Sequence, residues 1–74
     1  MPNESDSGFT IHLNGEPFVV DGDARVSALI EKLNLNRRRV AVEVNSAVVP
    51  KAQWDGALLK PGDSVEIVNF VGGG

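Results

Sequence analysis

From Phe9 onward the chain alternates. Phe9, Ile11 and Leu13 fall on one side of an extended backbone, with Thr10 and His12 on the other. That is the period-two signature of a strand buried on one face. Asn14-Gly15 then predicts a tight type I′ turn, because both of its central positions need positive φ. Phe18 and Val20 continue the apolar face on the returning strand. The period changes in "DGDARVSALIEKLNL", where Val26, Leu29, Ile30 and Leu33 stand at i, i+3, i+4 and i+7. This spacing predicts an amphipathic helix of about two and a half turns. Asp23 is placed to cap its start, with Asp21 the weaker candidate, and either charge suits that end.

The second half returns to strands. "LNLNRRR" ends the helix in a polar corner, and "VAVEVN" predicts a strand with Val40, Val42 and Val44 inward and Glu43 outward. Asn45-Ser46 turns the chain into "AVVP", which Pro50 closes because proline cannot donate to a strand ladder. "KAQWDGALL" predicts a short turn of helix, "KPGD" a turn, and "SVEIVNFV" a last strand. The order β-β-α-β-(β)-β requires two layers, with the helix on one face of a mixed sheet of four or five strands. The expected class is α+β, a β-grasp or ubiquitin-like fold. Residues 1–8, polar and without an apolar period, read as a disordered lead-in, 9–71 as the domain and 72–74 as a flexible glycine tail.

Composition narrows the chemistry. Seventy-four residues make a single small domain with no separate catalytic lobe. The absence of cysteine removes disulfides, thiolate catalysis and Cys-based zinc sites, and one histidine cannot build a His-cluster metal site. A formal net charge of −3 argues against general binding to nucleic acid. Neither a membrane span nor a signal segment is legible, so a cytoplasmic location is expected. No paired carboxylates sit at helix spacing to serve as acid and base. The glycine run leads into no helix, so it is not a phosphate loop.

What remains is the end of the chain. Val65 and Ile67 share the core-facing side of the last strand, whereas Ser64, Glu66, Val68 and Phe70 share the other. That second face begins polar and becomes apolar just before Gly72, Gly73 and Gly74, the pattern of a docking surface beside a mobile terminus. Val68 and Phe70 are the candidate partner-binding residues. Gly73 and Gly74 lack a Cβ and suit passage through a narrow channel that would bring the terminal carboxylate to an activating nucleotide.

The stretches "VSALIEKL", "VAVEVNSAVVPKAQW" and "LLKPGDSVEIVNFVGGG" resemble the ThiS family of sulfur carriers of thiamine biosynthesis, within the ubiquitin-like β-grasp superfamily. The resemblance runs from about Phe9 to Gly74. The approach "NFVGGG" is similar to the thiamine type, whereas molybdopterin-type carriers usually have a proline there. Arg25 departs from the pattern, standing where such sequences usually place threonine or serine before the helix. The resemblance implies a protein substrate rather than an enzyme. A ThiF-like adenylating enzyme, using ATP and Mg, would convert the Gly74 carboxylate to an acyl-adenylate. Sulfur from a cysteine desulfurase system would replace AMP, and the resulting thiocarboxylate would be presented to a ThiG-like thiazole synthase. The chain itself would bind no cofactor.

Two other uses of an activated glycine terminus stay open: a molybdopterin-synthase-type carrier and a ubiquitin-like protein modifier. A plain interaction domain with incidental glycines is a third reading. Elsewhere the side chains read as structural. His12 faces outward, Trp54 folds over the end of the core, and Arg37, Arg38 and Arg39 form a solvated corner with the charge to steer an acidic partner.

Overall fold

The structure, a computed structural model, describes residues 8–70. Strands β1 (Phe9–Leu13) and β2 (Glu16–Val20) precede helix α1 (Val26–Lys32). Strands β3 (Val40–Val44), β4 (Ala47–Val48) and β5 (Ser64–Asn69) follow it. The five strands make one sheet in the order β2-β1-β5-β3-β4. β1 and β5 run parallel, and every other neighbouring pair is antiparallel. The last strand therefore lies in the middle of the sheet, between the first strand and the third.

Local chemistry accounts for the two hairpins. Asn14 and Gly15 both have positive φ, at 50° and 85°, which a type I′ turn demands. Asn45 and Ser46 repeat that geometry, at 52° and 73°, between β3 and β4. Short 3₁₀ turns occupy Arg37–Arg39 and Lys51–Gln53, so "KAQW" is the expected turn of helix.

The core follows the two periods. Val26, Leu29 and Ile30 of α1 pack with Ile11, Val20, Val40, Val42 and Val65 of the sheet, all buried, and Leu33 lies half-buried against them. Trp54 and Leu59 complete this core from the segment before β5. The Trp54 ring is fully buried, and its Nε1–H donates to the Val49 carbonyl at 2.9 Å. Arg37 is more than a solvated residue: its guanidinium carbon stands 5.2 Å from the Trp54 ring centre, with Lys51 Nζ at 5.8 Å. Cations over an aromatic face are attracted by its quadrupole, so these two side chains hold the tryptophan cover in place.

The helix start differs from expectation. Asp23 does not cap it; Arg25 is the N-cap residue, and no side chain accepts from the first turn. Instead, Val26 N–H donates to the Ala57 carbonyl at 2.9 Å and Ser27 N–H to the Trp54 carbonyl at 3.2 Å. Two of the four orphan amides of a helix start are thus satisfied by a distant loop, which removes the need for a hydroxyl or carboxylate at the cap. Asp23 accepts instead from the Arg25 backbone N–H and guanidinium. That pairing lowers its pKa to about 2, chiefly through the side-chain hydrogen bond from Arg25.

Gly8, assigned from sequence to the lead-in, has φ +86°, and a Cβ there would sit 1.9 Å from the Val20 carbonyl oxygen. Only glycine fits that approach to the end of β2.

Candidate functional site

The site is built around the C-terminal end of β5. Val65 anchors the strand, fully buried, and β3 pairs with it along its length from Val44↔Val65 to Val40↔Asn69. On the other side β1 pairs only at His12↔Ser64 and Leu13↔Val65. Beyond that point the Asn14 side chain takes over, its Oδ1 accepting from Ile67 N–H at 2.9 Å. Asn14 thus shapes the hairpin and also extends the central ladder, a role invisible in a reading of it as a turn residue alone.

A second polar tie steadies the start of β5. Asp63 is buried; its Oδ1 accepts from Asn45 Nδ2 at 3.0 Å and its Oδ2 from Lys60 N–H at 2.8 Å. Asn45 Oδ1 in turn accepts from Ser64 N–H at 2.9 Å. Asn45 and Asp63 belong to the "VNS" and "KPGD" stretches, so both stretches serve to join the β3–β4 turn to the turn that launches β5. The signal in the sequence was two turn-forming residues; their partnership across the fold was not readable from either.

Where the strand ends, the expected apolar face is present. Val68 and Phe70 are about half exposed, at 53% and 51%. Val68 lies opposite Ala41 in the register, on the side of the sheet away from the helix. Phe70 stands one residue past the strand and is held by its N–H, which donates to the Arg39 carbonyl at 2.6 Å. The last strand was expected to run on to Val71, but it ends at Asn69. Val71 and the glycines Gly72, Gly73 and Gly74 lie outside the described residues. Among the described residues no group of three or more His, Asp or Glu could hold a metal ion, and no helix is long and apolar enough to cross a membrane.

A sheet whose terminal strand sits centrally, with one helix across one face, is the β-grasp architecture of the small sulfur carriers, and the comparisons agree. The crystal structure of the thiamine biosynthesis protein ThiS from Geobacter metallireducens superimposes with a TM-score of 0.74 at 35% identity. The match covers 89% of this chain and all of that one. The thiazole synthase of Magnetococcus marinus is 39% identical over 64 residues, which are 86% of this chain. The chain spans only about a fifth of that relative's length, 20%. The ycf40 protein of Porphyra purpurea is 35% identical across 88% of this chain and 92% of its own. Residues 11–74 match the ThiS family. The chain belongs to that family of sulfur carrier proteins.

Proposed function

We propose that this protein carries sulfur for thiazole formation in thiamine biosynthesis, as a thiocarboxylate on Gly74. The observation that carries the reading is the match to a segment of the Magnetococcus marinus thiazole synthase, which includes a stretch similar to nearly the whole of this chain. A carrier-like segment within the same polypeptide as that synthase favours the thiamine role over the molybdopterin one. The family match running through Gly74 supports the tail as the modified end.

The chemistry follows from the carboxylate. It is a poor acceptor for a sulfur nucleophile until ATP converts it to an acyl-adenylate with AMP as leaving group. A ThiF-like enzyme with MgATP supplies that step, a cysteine desulfurase system supplies the sulfur, and a ThiG-like synthase receives it. Val68 and Phe70 dock the adenylating enzyme, while Gly72, Gly73 and Gly74 reach its nucleotide. Activation requires a carboxylate oxygen in line with the α-phosphate, and an error of about 1 Å costs roughly a hundredfold in rate. Deleting Gly74 leaves the carboxylate about 3.3–3.6 Å short. Pyrophosphate exchange with the cognate adenylating enzyme tests this. Gly74 deletion and Gly73→Val abolish exchange, whereas Gly72→Ala is tolerated better; full exchange by the deletion would contradict the threaded tail.

A further inference from the structure

The open face of the β3–β5 pair holds a feature that sheet energetics disfavour. Glu43 and Glu66 are directly opposite one another in the register, both on the side away from the helix. Like charges at cross-strand positions, with Cβ atoms about 5 Å apart, destabilise a sheet. Neither carboxylate has a salt-bridge partner: among the described residues the one ion pair joins Arg25 to Asp23, elsewhere on the surface. One row along the strands are half-buried Ala41 and exposed Val68, and one row further the Phe70 backbone N–H donates to the Arg39 backbone carbonyl. Two residues of strand separate successive rows, about 7 Å. The face therefore reads, in order, two carboxylates, an apolar row, then exposed Phe70.

We infer that Glu43 and Glu66 receive a basic side chain of the adenylating partner, and that this charge order sets the direction in which the partner lies across Val68 and Phe70. This rests on the docking face proposed above and adds to it the chemistry of the occupant: a protein surface with an apolar contact for Val68 and Phe70 and a lysine or arginine at its end over the two glutamates. Complementary charges at such a distance steer encounter and fix register. Docked the opposite way round, the partner would leave its base over apolar Val68 and Phe70 and the two glutamates without a counter-charge. The unpaired repulsion in the free carrier is then relieved on binding, and returns on release.

The test separates structure from recognition, because the two carry opposite signs. Glu43→Gln with Glu66→Gln keeps the side-chain shapes and removes the repulsion, so the free protein should melt at a higher temperature. The same variant should bind the ThiF-like adenylating enzyme, in MgATP, about tenfold more weakly at low salt. In ~1 M salt, where the Debye length is about 3 Å, the wild type and the variant should bind alike. Val68→Ser serves as the control for the face itself. Weaker binding by Val68→Ser with unchanged affinity in the double Gln variant overturns the charge inference and leaves the docking face standing. Unchanged affinity in both removes the face and the inference together. Sedimentation of the carrier alone completes the set: a wild-type dimer that the Gln pair dissociates makes a second copy the occupant and overturns the assignment to the adenylating enzyme.

Discussion

The two sides of one sheet obey different rules. Toward the helix, Ile11, Val40, Val42 and Val65 are fully buried. Toward solvent, the same sheet presents Val19, Val48 and Val68, each more than half exposed, together with the opposed Glu43 and Glu66. Exposed apolar side chains and facing like charges are both poor choices for stability alone. One face is therefore fitted to hold the fold, and the other carries features that the fold does not need. Under the proposed docking reading, local rules are broken where a partner is to be met.

That contrast can be broken first on the covered side. Leu29→Ala removes a buried side chain from a small core and should cost about 2–5 kcal/mol, read by chemical denaturation. A loss no greater than that of a surface substitution would mean that α1 does not hold the sheet through this residue. Asp63→Ala comes next. It strips partners from Asn45 Nδ2 and Lys60 N–H and should cost about 1–3 kcal/mol, measured the same way.

On the open side the expected signs separate. Val68→Ser and Phe70→Ser should each change stability by less than about 1 kcal/mol, the span of strand propensity. Each should weaken binding to the adenylating enzyme by about tenfold, as truncation of a contact worth more than ~1 kcal/mol does. Calorimetric titration, with circular dichroism as the folding control, compares the two effects. Unfolding of either variant would place its side chain on the wrong face, and unchanged affinity would remove it from the docking surface.

The sequence made the covered face legible because burial imposes a period. Val26, Leu29 and Ile30, and the valines of β3, were assigned to the core by spacing alone, and the "NG" turn by its need for positive φ. The helix start was not legible, because its amides bond to carbonyls of residues 54 and 57, about thirty positions away, rather than to the nearby Asp23. The same limit hid the Asn14 link to Ile67 and the Asn45–Asp63 bond. The opposition of Glu43 and Glu66 also needed the strand register, since nothing in either strand alone places them together. Val68 and Phe70 were readable as exposed; what they touch is a matter of proposal.

The smallest expected effect concerns the local pair that replaced the cap. Asp23 titrates at about 2 instead of 3.8 because Arg25 bonds its carboxylate. A carboxyl lowered on folding stabilises the protein at pH values above 3.8, and this contribution fades as the pH falls from there through about 2. In Arg25→Ala the Asp23 midpoint, followed by NMR, should return toward the ordinary carboxylate range. Because the helix amides are held by the loop carbonyls, the helix itself should persist. Loss of α1 in that variant would show that the Asp23–Arg25 pair sets the helix start after all.

The central claim is that the exposed end of β5 leads to a glycine terminus that is activated and then bears sulfur. Intact-mass analysis of the C-terminal peptide tests it most directly, using protein purified from cells that express its own adenylating enzyme and sulfur donor. The account predicts a species in which one sulfur replaces one oxygen on Gly74, absent when Gly74 is deleted. Activated protein that appears only as conjugates on lysine side chains, with no thiocarboxylate at any stage, would contradict it.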